Sequence, residues 1–117
     1  MIKNYGGRKL SVTSSHRRSM LRNMATSLFQ HEKVETTLAR AKELQRYSER
    51  ILTTARANDI NARRAVDGEI KDKVVQKKIF DVLVPRYMSR HGGCTRVFKL
   101  GIRRGDNAQT ALVKLVS

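Results

Sequence analysis

Residues 41–55 read AKELQRYSERILTTA, and their periodicity decides the fold of the chain. Apolar and small residues recur at the three- and four-residue spacing of one helix face, at Ala41, Leu44, Ser48, Ile51, Leu52 and Ala55. Basic residues form a second row at Lys42, Arg46 and Arg50. Glu43 and Glu49 each lie three residues from Arg46, so local ion pairs are available. The segment is predicted to be an amphipathic helix whose basic row is a solvated face.

The segments on either side predict an α+β chain with the order helix, strand, three helices, two strands. The predicted helices cover residues 15–31, 41–55, 61–67 and 72–84. The predicted strands cover residues 34–38, 95–100 and 110–116. The fourth helix is expected to stop before Pro85, because the residue before a proline disfavours helical backbone. Two layers follow, a small mixed sheet with helices on one face.

Length and composition restrict the class of protein. At 117 residues the chain is expected to form one domain, with 1–12 as an extended basic arm and 13–117 as the folded body. No segment approaches the ~18 consecutive apolar residues of a membrane span, and the first residues lack the apolar block of a secretory signal. A single cysteine excludes an internal disulfide. A cytoplasmic protein without a membrane partner is therefore expected.

The positive charge is concentrated at the two ends of the chain. Lys and Arg number 25 against 10 Asp and Glu, a formal net charge of +15. Residues 1–31 hold six basic residues and no acid, and residues 86–117 hold seven basic residues and one acid. Residues 32–85, with 12 basic and nine acidic side chains, are nearly balanced. This segregation is typical of a folded protein that binds a polyanion.

The first candidate site is the start of the predicted first helix. His16, Arg17 and Arg18 occupy its first turn, where the helix dipole is positive and acidic residues are preferred. Free backbone N–H groups and two guanidinium groups together suit a phosphate. The alternative is a solvated basic turn.

The second candidate site is the tail, where basic residues alternate with glycines. Its cations are Arg86, Arg90, Arg96, Lys99, Arg103 and Arg104. Glycines let a backbone approach a sugar–phosphate chain, and arginine forks match phosphate oxygens in pairs. The alternative is an ordinary basic hairpin whose glycines serve the turns.

Neither catalytic machinery nor a metal or cofactor site is predicted. The three histidines are widely separated, and Cys94 has no predicted histidine partner, although nearby arginines could lower the pKa of its thiol. Aromatic residues make up only 5% of the chain, so the aromatic cluster of an RNA-recognition module is missing. The residues favour a non-enzymatic binding protein for RNA. Two alternatives are a DNA-binding nucleoid or regulatory protein and an RNA-processing enzyme that uses His16 or His91.

Several segments of the chain, taken together, also resemble the sequence pattern of a known family. They are Gly7-Arg8-Lys9-Leu10, Thr13-Ser14-Ser15-His16-Arg17, Arg22-Asn23-Met24, Ala41-Lys42-Glu43-Leu44, Pro85-Arg86-Tyr87, Gly92-Gly93, Thr95-Arg96 and Gly105-Asp106-Asn107-Ala108. In this order and register the chain resembles bacterial large-subunit ribosomal protein seventeen over nearly its whole length.

The resemblance implies a structural ribosomal protein that takes no small-molecule substrate. Its implied partners are large-subunit ribosomal RNA and neighbouring large-subunit proteins near the peptide exit tunnel. With the charge pattern, it makes the candidate rRNA-binding residues Lys3, Arg8, Lys9, His16, Arg17, Arg18, Arg22, Arg86, Arg90, Arg96, Lys99, Arg103 and Arg104.

Overall fold

The computed structural model of the chain describes residues 10, 13–90 and 92–116. Its helices are α1 (Ser14–His31), α2 (Leu38–Ala55), α3 (Ile60–Glu69), α4 (Lys73–Lys78) and α5 (Val84–Arg86), with a π-helical turn at Ile79–Leu83 between the last two. Its strands are β1 (Lys33–Thr37), β2 (Thr95–Ile102) and β3 (Gln109–Leu115). The predicted α+β class and the order of elements are confirmed. The predicted arm, 1–12, lies outside the described residues except for Leu10.

Helix α2 forms the centre of the helical layer. The face predicted from its periodicity is buried, and α2 packs against all three strands as well as α1 and α3. The basic row on its other face is exposed, as expected. Glu43 pairs with Arg46 at 3.8 Å, whereas the carboxylate of Glu49 accepts hydrogen bonds from the segment that leads into β2. One acid of α2 thus serves its own helix and the other holds a distant loop.

The prediction that the fourth helix stops before Pro85 is wrong. The helix begins at the Asp72 cap, passes through the π-helical turn and continues to Arg86. In a regular helix the Pro85 ring would clash with the carbonyl of Asp81, to which it can donate no hydrogen bond. The π-helical turn widens the backbone at this point, and the N–H of Val84 bonds to the carbonyl of Ile79, five residues back.

The sheet has the order β1-β3-β2 and is antiparallel throughout, where a mixed sheet was expected. Strands β2 and β3 are joined through residues 103–108, which is too short for the crossover that parallel neighbours need. Strand β3 lies at the centre and turns Ala111, Val113 and Leu115 into the core.

The core lies between the sheet and the helices. Its largest fully buried side chains are Tyr87, Phe29, Leu28, Leu44, Ile70, Ile79, Leu83, Leu115, Val66, Val75 and Val113, with Thr95 among them. The outward side chains of β3 are half-buried or exposed. The helices therefore cover one face of the sheet, as predicted, and leave the other face to solvent.

Candidate nucleic-acid interface

The first turn of α1 presents the cations that the sequence placed there. The Thr13 hydroxyl accepts the backbone N–H of His16 at 3.3 Å and so caps the helix. His16 and Arg18 are exposed, and Arg17 donates to the hydroxyl of Ser14 at 3.3 Å. The turn holds no acidic residue that could offset the repulsion between its cations and the positive end of the helix dipole.

Arg22, also a predicted RNA contact, is half-buried and forms an ion pair within the protein. Its Nε donates to the carboxylate of Glu69 at 3.0 Å, and the Tyr47 hydroxyl donates to the same oxygen. Burial raises the pKa of Glu69, but the two donors outweigh it and leave that pKa below its ordinary value. Arg22 therefore links α1 to α2 and α3.

Arg86 is likewise part of an internal ion-pair network. Its Nη1 lies 2.6 Å from Oε1 of Glu32, and the Nζ of Lys78 lies 3.2 Å from Oε2 of the same carboxylate. The hydrogen bond from Arg86 lowers the pKa of Glu32, and it outweighs the opposite effect of burial. Glu32 ends α1 in a left-handed conformation with φ 65°, which a non-glycine residue seldom adopts. The network ties this end of α1 to α5.

Two predicted arginines converge on the glycine loop before β2. Arg90 and Arg96 each donate from Nη1 to the carbonyl oxygen of Gly93, at 3.3 and 2.9 Å. On the other side of the loop, Glu49 accepts the N–H of Gly93 at 3.0 Å and the hydroxyl of Thr95 at 2.6 Å. Gly93 has φ +66°, a conformation in which a side chain would be strained. The loop thus brings two guanidinium groups together at one atom.

Cys94 lies in the same loop and is buried. Burial raises the pKa of its thiol, the Glu49 carboxylate adds to the increase, and Arg90 and Arg96 oppose it. The expectation that the pKa of this thiol is lowered overall is therefore wrong, although the arginines do act in that direction. The desolvation of the thiolate outweighs attraction to cations that themselves lie at the surface.

The tip of the β2–β3 hairpin carries one arginine that is paired with a carboxylate and a second arginine that is exposed. Arg103 binds both carboxylate oxygens of Asp106, at 2.6 and 3.2 Å. The bond from Arg103 and the N–H of Ala108 lower the pKa of Asp106 to about 2. Arg104 and Lys99 are exposed, and no carboxylate in the described part of the chain pairs with either of them.

Strand pairing creates a row of cations that the sequence pattern does not predict. Lys114 on β3 lies opposite Lys33 on β1 and opposite Arg96 on β2. All three residues are exposed. Lys33 belongs to the balanced middle of the sequence and gave no signal, because its position beside Lys114 depends on the strand order.

The candidate residues that the structure describes therefore fall into four groups. Arg90 and Arg96 are brought together, and Arg96 also joins the row across the sheet. Arg22 and Arg86 lie in half-buried ion pairs within the protein, and Arg103 lies in an exposed one. His16, Arg17 and Arg18 share one helical turn, while Lys99 and Arg104 are exposed on the hairpin. Three predicted residues, Lys3, Arg8 and Lys9, lie outside the described residues.

The residues that the structure describes give no support for metal binding or for a membrane-spanning helix. No group of three His, Cys, Asp or Glu side chains there is placed to hold a metal ion. None of the helices found there combines the length and apolar character needed to cross a bilayer.

A small α+β body that displays arginines on a helix start, a glycine loop and a hairpin belongs to the class of basic proteins suited to polyanions. A family model described as ribosomal protein L17 matches residues 20–116. The chain belongs to the ribosomal protein L17 family, which confirms the resemblance noted from its motifs.

Curated relatives match over all or nearly all of this chain. The large ribosomal subunit protein bL17 of Endomicrobium trichonymphae is 56% identical over 117 residues, all of both chains. The protein of the same name from Elusimicrobium minutum is 53% identical over 116 residues, 99% of each chain. That of Halothermothrix orenii is 50% identical over 109 residues, 93% of this chain and 96% of its own. The family is structural and non-enzymatic, so the RNA-processing alternative is excluded.

Proposed function

We propose that the chain is a structural constituent of the large ribosomal subunit and binds large-subunit rRNA through two basic surfaces. The N-terminal surface comprises Lys3, Arg8, Lys9, His16, Arg17, Arg18 and Arg22. The C-terminal surface comprises Arg86, Arg90, Arg96, Lys99, Arg103 and Arg104. Full-length relatives that carry the name of a large-subunit protein support the ribosomal role.

The observation that carries the RNA-binding proposal is the meeting of Arg90 and Arg96 at the Gly93 carbonyl. Two guanidinium groups held this close repel each other, and the carboxylate of Glu49 is occupied by Gly93 and Thr95. A phosphate at this position neutralises the pair and accepts the planar N–H forks of arginine. Glu49 holds Gly93 and Thr95 in place, so less ordering of these residues is needed on binding.

The N-terminal surface is suited to the same chemistry by a different route. At the start of α1 the helix dipole, free backbone N–H groups and Arg18 all favour an anion. Phosphate contacts of this kind fix the position of a protein on RNA without reading bases. The two surfaces are therefore proposed to hold RNA segments together by charge neutralisation and shape.

The paired arginines are proposed to have a double role. Arg22, Arg86 and Arg103 already face a carboxylate, so each contributes less net attraction to a phosphate than an unpaired arginine does. Their exchange is expected to lower the stability of the protein as well as its affinity for RNA.

Two further parts of the proposal come from the family resemblance. The protein is placed on the large subunit of the cytoplasmic ribosome, beside other large-subunit proteins near the peptide exit tunnel. The position near the tunnel stays a prediction, which crosslinking of the protein within purified large subunits would test.

The salt dependence of binding to large-subunit rRNA tests the mechanism. The logarithm of the affinity should fall linearly with the logarithm of salt, by about 0.7 to 0.9 for each phosphate neutralised. Six to ten contacts correspond to a loss of about 10³- to 10⁵-fold between 50 and 200 mM salt. A nearly flat response would overturn the proposal.

A matched pair of double variants separates the proposed surfaces from net charge alone. R90Q/R104Q removes two charges from the C-terminal surface and is expected to reduce the salt slope by about two. K71Q/K77Q removes two exposed charges from the balanced middle and should leave the slope unchanged. Equal effects of the two variants would contradict a defined surface. Preference for duplex DNA over structured RNA at equal salt would favour the DNA-binding alternative.

A further inference from the structure

The face of the sheet turned away from the helices carries both cations and an exposed aromatic ring. Across the three strands, Lys33, Lys114 and Arg96 lie side by side in one row. In the next outward row Glu35 faces Leu112, and Leu112 faces Phe98. Adjacent strands are about 4.8 Å apart, so the row of cations spans roughly 10 Å. It lies directly beside the aromatic residue.

The charge of this face is unbalanced. Of the outward-facing positions on the three strands, Glu35 is the acidic one, and it forms no ion pair with any residue that the structure describes. Like charges directly opposite each other destabilise a sheet unless an anion lies between them. Arg96 is held by the carbonyl groups of Gly93 and Thr95, neither of which neutralises it. The row is therefore arranged for a negatively charged chain.

Phe98 is the second feature of this face of the sheet that indicates a ligand. Its side chain is 49% exposed on the outer face, although an aromatic ring of this size is ordinarily buried. A hollow of about 200 Å³ is lined by Phe98 together with two of the cations, Arg96 and Lys114, and by Leu115 and Val116. An aromatic face beside a hollow provides a surface on which a planar ring can lie.

We propose that this outer face is a stacking platform for an unpaired nucleotide of the large-subunit RNA. The base lies on Phe98, with Leu112 beside it, and the flanking phosphates contact Lys114, Lys33 and Arg96. The nucleotide must be unpaired, because a base within a duplex offers no free face to an aromatic ring. This inference rests on the proposed function and adds a contact outside its two basic surfaces, with only Arg96 in common.

An RNA fits this face better than a protein segment does. Docking of an apolar helix or strand would leave three cations desolvated at the edge of the contact. An acidic peptide would satisfy the cations but has no group that needs the ring of Phe98. Single-stranded nucleic acid meets both requirements, since its phosphates and bases alternate along the chain.

Binding of the full chain to an unstructured single-stranded RNA containing 2-aminopurine tests the platform. F98A is expected to weaken binding about fivefold to 150-fold, because base–aromatic stacking contributes about 1–3 kcal/mol per base. It should also abolish the quenching of the 2-aminopurine fluorescence. F98L keeps an apolar side chain without an aromatic ring and should lose the quenching as well, whereas F98W should retain it.

Two further variants complete the test. I102A removes an apolar side chain that is 60% exposed on the same strand, and it should leave affinity and quenching unchanged. K114Q is expected to reduce the salt slope by about 0.7, the value for one phosphate of a single strand. Unchanged affinity and quenching in both F98A and F98L would overturn the platform.

The outcomes also separate this inference from the proposed function. If the Phe98 variants bind as the unaltered chain does while R90Q/R104Q still reduces the slope on rRNA, the platform is wrong and the proposed function stands. If the unaltered chain shows no salt dependence on rRNA, the proposed function fails. Tight binding of a polyglutamate peptide that needs Lys114 and not Phe98 would assign the face to an acidic protein and overturn the inference.

Discussion

Glu49 is the residue whose exchange should most clearly separate positioning of the arginine loop from simple charge. Its carboxylate accepts the N–H of Gly93 at 3.0 Å and the hydroxyl of Thr95 at 2.6 Å. Thr95 is fully buried, so water cannot replace the carboxylate as the acceptor for its hydroxyl group when Glu49 is exchanged. Glu49 thereby fixes the carbonyl on which Arg90 and Arg96 meet.

The size of the effect follows from these two bonds. A hydrogen bond to a charged group contributes about 1.5–3 kcal/mol, and an unsatisfied buried hydroxyl costs about 1–3 kcal/mol. The two figures partly count the same lost hydrogen bond and cannot simply be added, so E49A is expected to lower the free energy of unfolding by about 2–4 kcal/mol. With an unfolding entropy of about 2.1 cal/mol/K per residue, the Tm of this chain should fall by about 8–16 °C. E49Q keeps one acceptor oxygen and should lose about half as much.

Thermal unfolding followed by circular dichroism measures the change, with urea unfolding as a second determination. E35A is the matched control, since Glu35 is an exposed acid that forms no ion pair among the described residues. Its effect should stay within about 0.5 kcal/mol. An E49A protein as stable as the E35A protein would refute the reasoning.

The RNA affinity of E49A provides an independent check of positioning. Removing a negative charge beside two arginines should by itself strengthen the attraction to RNA. If Glu49 positions Arg90 and Arg96, the affinity should instead fall, although the net charge has become more positive. A gain in affinity would show that the loop needs no support from Glu49.

Three further outcomes are expected. The pKa of Glu32 is lower in the folded chain than its ordinary value of 4.5. The contribution of Glu32 to stability is therefore complete above about pH 4.5 and is lost as the pH falls through the pKa of the folded state. In acid-unfolding curves, E32Q should flatten that decline. Cys94 should react slowly with a thiol reagent at pH 8 and rapidly in urea, because burial raises its pKa, and equal rates would contradict this. F29A should cost about 3–5 kcal/mol in urea unfolding, since Phe29 is fully buried, and a loss below 1 kcal/mol would show that the core refills the space.

The local pattern of the sequence was sufficient to predict the class of fold, the order of the elements and the buried faces of the helices. The buried face of α2 and the Asp72 cap follow from residues within one or two turns of each other, where helical geometry fixes which side chains are neighbours. The segregation of positive charge to the two ends is a property of the sequence alone. Together these features predicted a basic α+β protein before any tertiary contact was known.

The tertiary structure decided which cations stand together and which are neutralised. Arg22 pairs with Glu69 and Arg86 with Glu32, across 47 and 54 residues of chain, and no periodic pattern encodes such partners. The row that places Lys114 between two other cations exists because β3 lies between β1 and β2, an order that the sequence leaves open. Helical and strand periods act over a few residues, whereas the electrostatics of a surface depends on which distant segments the core brings together.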